Sequence, residues 1–399
     1  MIASWGRARV RRRAVALAGF VAVVGVTAAC TVGGGSADGP AASTEALVAA
    51  DVQFAFSDGA SEVSPLDPVS LSVDDGTLTE VTMTNPQGDE VEGALAPDGA
   101  SWSTDKVLGY GSTYTVEATA QGESGPVVET AQFTTIAPNN QTMAFMLPWG
   151  GATVGVGQPA VVQFDEPIPD RAAAEDAITV TTDPPVEGAF YWVSNKEVHW
   201  RPQDYWQPGT TVTVEVDTYG KDLGNGLYGQ EDTSATFTIG DSVIAVADDN
   251  TKQISISRNG EVVRTMPTSM GKNKFPTPNG TYIVGEQLDE IIMDSSTYGL
   301  PITAPEGYET PVQWATRMSY SGIFVHSAPW SVWAQGSQNT SHGCLNVSPS
   351  NAKWFYDNMN RGDIVVVKNT AGGTLPGTEG LGDWNIPWET WSAGNADSV

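Results

Sequence analysis

"IFVHSAPWSVWAQGSQNTSHGCLNVSPSNAKWFYDNMNRGDIVVV", from Ile323 to Val367, holds two of the three histidines and one of the two cysteines in a chain of 399 residues. Its first residues form an apolar run that reads as a buried strand ending in a Pro-Trp loop. Past Cys344, Ser348 can cap a helix that Pro349 opens. Phe355 and Met359 are four apart on it, and Gly362 is a natural stop. "IVVV" then returns to strand. The segment therefore predicts strand, loop, one short helix and strand, with His326, His342 and Cys344 gathered around the loop.

A cysteine nucleophile needs a base for its proton, a group that orients the base, and backbone donors facing the developing oxyanion. His326, at the end of the strand, and His342, two residues before Cys344, are both available as base. Gly343 leaves the backbone open, so that consecutive N–H groups could converge on one oxygen. Ser341 is small and polar enough to fix the turn. A helix start shortly after Cys344 is expected to favour its thiolate. The residues alone also admit a zinc site built on His326, His342 and Cys344, although a fourth ligand is hard to find, or an inert buried thiol.

Working outward, "VIAVADDNTKQISISRNGEVVRT" and "FPTPNGTYIV" add strands, with Asn259-Gly260 as a tight hairpin turn. This region runs from about residue 241 to 370. Between 51 and 240 the chain repeats itself: "GSTYTVE" at Gly111–Glu117 and "GTTVTVE" at Gly209–Glu215 share an offset of 98 residues with Trp102 and Trp200. Thr-rich alternating runs broken by Gly and Pro predict two immunoglobulin-like sandwiches, 51–137 and 138–240, without cysteine, serving as spacers. His199, in "KEVHWRP", falls in one of their strands and reads as structural. The Trp-rich end, 371–399, is expected to pack on the catalytic domain.

Five arginines (Arg7, Arg9, Arg11, Arg12, Arg13) precede an apolar run to Ala29, and small residues lead to Cys30. This is a secretory signal over 1–29. "TAAC" resembles a lipobox, which makes Cys30 the expected lipidation site, with 30–50 a Gly/Ser/Ala tether. The expected location is outside the cytoplasm, lipid-anchored to the outer face of the cell membrane. The net charge is −28, with 47 acidic residues, so nucleic acid is not an expected partner.

The segment opening this section resembles the active-site signature of the YkuD family of L,D-transpeptidases, H-x(14 to 17)-[ST]-H-G-C. "MGKNKFPTPNGTYIV" is similar to another stretch of the same domain. The resemblance implies a mainly β protein, two immunoglobulin-like sandwiches followed by a β-sandwich catalytic domain. It implies a cysteine acyl-enzyme that forms 3→3 cross-links between peptidoglycan stem peptides, releasing D-alanine, without cofactor or metal. Cys344 is then the nucleophile, His326 the base, and the Ser327 carbonyl its orienting group. His342, Gly343 and Cys344 supply oxyanion N–H groups, while Tyr308, Met293, Trp330, Ser341 and Asn346 face the substrate. β-Lactams of the carbapenem class are the implied inhibitors. An L,D-carboxypeptidase, a ligase joining lipoprotein to the stem and a non-catalytic wall-binding lipoprotein are the alternatives.

Overall fold

The computed structural model describes residues 47–397; the leader and Cys30, with the lipidation expected there, lie outside the described residues. Among the described residues no helix is long and apolar enough to cross a membrane.

Two double-sheet units precede the catalytic domain. In the first, a sheet containing strands Val69–Asp74 and Ser101–Thr104 faces one containing Thr113–Gly122 and Gly125–Thr135. In the second, Ala160–Phe164 and Glu197–Pro202 face Thr211–Val216 and Thr233–Ile239. Strands Thr113–Gly122, Thr211–Val216 and Thr233–Ile239 alternate and send every second residue inward, whereas Ala160–Phe164 and Glu197–Pro202 are buried almost throughout. The repeated tryptophans, Trp102 and Trp200, are each buried in the core of their own unit.

The catalytic domain is built from two further sheets. One has the order Glu261–Pro267, Gln253–Arg258, Val243–Asp248, Ile364–Lys368, Gly280–Ile283. Its first hairpin turns at Asn259-Gly260, with both residues at positive φ and Arg258 paired to Glu261. The second has the order Gln287–Asp294, Glu309–Arg317, Phe324–Ser327, Leu345–Val347. Helix Pro349–Asn358 lies against the second sheet, capped by Ser348, whose hydroxyl accepts from Asn351 N–H at 3.3 Å. Ile254, Ile256, Val325, Leu345 and Phe355 share the core between these layers. The helix ends at Asn358 rather than near Gly362, and Met359 buries its side chain from the C-cap position.

The second sandwich does more than space the domains. Ile283, Ile364 and Leu381 join the same core as Val162, Trp200 and Phe237 of that sandwich. Gly155 and Gly157 donate backbone N–H groups to Arg361 and Gly362 carbonyls, both at 2.8 Å. A side chain at Gly155 would meet the Asp363 backbone nitrogen at 2.2 Å, so only glycine permits this approach. By contrast, the first sandwich meets the second mainly through tyrosines: Tyr110 Oη donates to Gly229 O at 2.8 Å and Tyr219 Oη to Leu108 O at 2.7 Å.

The C-terminal tail departs from its expected place, because it straddles two domains. Asn385 binds Thr281 of the catalytic domain, accepting from its N–H and donating to its carbonyl, each at 2.8 Å. Trp391 is fully buried and donates Nε1–H to Ala189 O of the second sandwich at 2.8 Å. The reason is Arg201, a cation buried in that sandwich that needs cover. Its guanidinium lies 4.5 Å from the Trp384 ring centre and 4.2 Å from that of Trp391, and it donates to Ile386 O at 2.9 Å. His199 sits fully buried between Asp383 of the tail (2.8 Å) and Glu197 (2.7 Å). Burial opposes its charge, but the two carboxylates outweigh that and push its pKa up to about 9.

Candidate active site

Strand register brings the chemistry together. Phe324–Ser327 and Leu345–Val347 run parallel, with Val325 beside Leu345 and His326 beside Asn346. Side chains alternate along a strand, so Asn346 and His326 share one face, and Cys344, two residues before Asn346, falls on it too. On that face a cavity of about 190 Å³ is lined by Cys344, His326, His342, Tyr308, Met293 and Trp330, together with Ser341 and Asn346. Thr310, Val312 and Thr340 complete the lining.

His326 is buried, and its Nδ1 lies 3.0 Å from the Ser327 carbonyl. A carbonyl can only accept, so Nδ1 carries the proton and Nε2 keeps a lone pair. Desolvation lowers the His326 pKa to about 4, against the opposing pull of that hydrogen bond. The same burial raises the Cys344 thiol to about 11. The resting pair is therefore neutral thiol and neutral imidazole.

The thiolate expected from a nearby helix start is not the resting form. Strand Leu345–Val347 intervenes between Cys344 and the helix at Pro349, and a helix terminus acts only within about its first turn. The thiol donates instead to the Gly322 carbonyl at 3.6 Å. The S–H bond swings away from that carbonyl when the proton is delivered to Nε2.

The turn before Cys344 is held from within. Gly343 has φ of +129°, a conformation that side chains resist, and its N–H donates to Ser341 Oγ at 3.1 Å. The same hydroxyl donates to Cys344 O at 2.6 Å. Two expectations change as a result. Gly343 N–H already serves the turn, and the oxyanion role expected of it would require it to leave Ser341 Oγ. Ser341 lines the cavity but spends its hydroxyl on the backbone. Asn346 likewise donates its side-chain amide to Ser331 Oγ at 3.2 Å, tying down the loop that carries Trp330.

The chain matches two known families: the bacterial Ig domain over residues 60–222 and the L,D-transpeptidase catalytic domain, YkuD, over 242–367. It is 55% identical to L,D-transpeptidase 2 of Mycobacterium tuberculosis (strain CDC 1551 / Oshkosh), over 98% of this chain and 97% of that protein. The chain belongs to the L,D-transpeptidase family. L,D-transpeptidase 5 of M. tuberculosis (strain ATCC 25618 / H37Rv) is 36% identical over 85% of this chain and 75% of that one. An L,D-transpeptidase solved in complex with imipenem superposes with a TM-score of 0.52 at 41% identity, over 58% of this chain and all of that one.

Some residues that shape this L,D-transpeptidase site carry no catalytic signature in sequence. Thr277, buried in "FPTPNG", accepts from Gly271 N–H at 3.0 Å and donates to Gly343 O at 2.7 Å. Its position in the P-T-P segment was the available signal. Glu306, on the chain between strands Gln287–Asp294 and Glu309–Arg317, reaches Lys272, Lys274 and His342. Such a long-range ion cluster leaves no spacing to read.

Proposed function

We propose that this enzyme forms 3→3 cross-links in peptidoglycan through a thioester on Cys344. The observation that carries the reading is the neutral pair in one cavity, a thiol and an imidazole whose Nε2 can accept, within the fold of the L,D-transpeptidase family. His326 takes the thiol proton as sulfur attacks the carbonyl of the third stem residue. The tetrahedral oxyanion faces backbone N–H groups of His342 and Cys344. The imidazolium then protonates the departing D-alanine nitrogen as the C–N bond breaks, which leaves the thioester. An acceptor side-chain amine attacks next, returns a proton through His326 to the sulfur, and frees Cys344.

A neutral resting pair suits this cycle, because burial that disfavours both charges also keeps competing water out. Carbapenems such as imipenem acylate the same sulfur in this reading, which the imipenem complex of the 41% identical transpeptidase supports. Lipidation at Cys30 anchors the enzyme outside the cytoplasm; the basic, apolar and small-residue succession before Cys30 supports this. Purified tetrapeptide-bearing muropeptides incubated with the enzyme should yield dimers joined between third residues, resolved by mass spectrometry. Tripeptide monomers alone would point to a carboxypeptidase instead.

A further inference from the structure

A more open hollow of about 580 Å³ is lined in part by Ser337, Gln338 and Asn339, next in the chain to Thr340 of the catalytic cavity. Lys252, Lys272 and Lys274 line this hollow with Asp249 and Glu306. Beyond Arg13 the chain has only eight lysines and six arginines against 47 acids, yet three of those lysines meet here. Lys252 pairs with Asp249 at 2.8 Å. Lys272 and Lys274 have a single carboxylate between them, that of Glu306, which Lys272 contacts closely and Lys274 approaches at 3.5 Å. Positive charge is therefore in excess beside a cleft in an otherwise strongly acidic protein.

A side-chain contact links the two hollows. Glu306 also lies 3.4 Å from His342 Nε2, and the ring of Tyr308, two residues on, packs tilted against that of His342 in the catalytic cavity, with 5.0 Å between ring centres. We infer that Lys272 and Lys274 form a subsite for a carboxylate of a stem peptide, and that Glu306 occupies this subsite until substrate displaces it. The inference rests on the transpeptidase reading and deepens it. A carboxylate suits an ammonium pair through charge-assisted hydrogen bonds. Glu306 can give way, because ion pairs between partly exposed side chains are worth about 1 kcal/mol or less. Without this subsite, the acidic surface would repel the carboxylates that stem peptides bear. Donor and acceptor stems carry the same chemistry, so the test varies each separately.

The experiment compares kcat/KM of the enzyme for donor and acceptor peptides whose carboxylates are free or amidated. For the wild type we expect a preference for the free form of about fivefold in one arm, the scale of one partly exposed ion pair; that arm identifies the stem. The Lys272→Ala/Lys274→Ala double variant should bring the ratio to about one. Glu306→Gln, which frees both lysines, should raise it above wild type. Opposite signs separate a subsite from a merely structural cluster, whose loss would affect both peptide forms alike. Turnover with a ratio unchanged by the lysine substitutions, or lowered by Glu306→Gln, overturns the subsite alone. No turnover of any peptide by the wild type, with Cys344 unacylated, overturns the transpeptidase reading and the subsite with it.

Discussion

The Thr277 hydroxyl donates to the Gly343 carbonyl at 2.7 Å and so braces, from a separate segment, the turn that presents Cys344. Thr277 has no exposed surface, so a partner left unmet there has no water to turn to. Thr277→Val keeps the shape but strands the Gly343 carbonyl and the Gly271 N–H, at a cost of ~1–3 kcal/mol per buried group. We expect imipenem acylation to slow by at least tenfold in this variant, with Thr277→Ser restoring most of it. Equal rates for Val and wild type would show that the brace is dispensable.

The neutral resting pair sets the pH dependence. His326 charges only near pH 4, and the Cys344 thiol ionises near 11. Between these values the same protonation state persists, so the acylation rate should be flat from about pH 6 to 9. In His326→Ala the only route left is free thiolate, and the rate should climb about tenfold per pH unit across that range. A wild-type rate that climbs in the same way would mean that His326 is not the base.

His199 makes stability depend on pH at a place remote from the chemistry. Its folded pKa of about 9 lies above the ordinary 6.5, so the stabilisation is fully present below pH 6.5 and is lost as pH rises through 9. Integrated over that gap it amounts to ~3 kcal/mol. Urea midpoints should fall between pH 6.5 and 9. Asp383→Asn, already weaker at pH 6.5, should show a flatter slope over the same window. The Asp363 carboxyl, pushed up to about 7 by burial, acts in a lower window, between about pH 4 and 7, so the two effects are separable.

How far the sequence could be read follows from which interactions are local. The strand–loop–helix around Cys344, the Asn259-Gly260 hairpin and the duplicated sandwiches rest on periodicity, caps and turns, which neighbours along the chain determine. Cys344 and His326 were legible because register and a short motif bring them together. The place of the tail is not legible, because Arg201 and Trp391, 190 residues apart in number, meet only through tertiary packing. The bond from Gly343 N–H to Ser341 Oγ is not legible, because it depends on a rotamer that sequence does not reveal.

The shared core changes the expected behaviour of fragments. A chain beginning at Asp241 would leave Ile283, Ile364 and Leu381 uncovered and the tryptophans of the tail without Arg201. Burying each such aliphatic side chain is worth ~1.5–3 kcal/mol, so this fragment should melt well below the full chain and lose acylation. A chain beginning near Asn139 keeps both partners and should acylate within about twofold of the full chain, a small change on the ~1.4 kcal/mol per tenfold scale. A stable, fully active fragment from Asp241 would contradict the common core.

The most direct test is the intact mass of the enzyme during turnover of a tetrapeptide donor, followed by peptide mapping. The expected result is an adduct equal to the donor acyl group without D-alanine, located on Cys344. It should decay to cross-linked product on addition of an acceptor amine and be absent in Cys344→Ala. Cross-linking by Cys344→Ala at the wild-type rate, or an adduct on any other residue, would contradict the account.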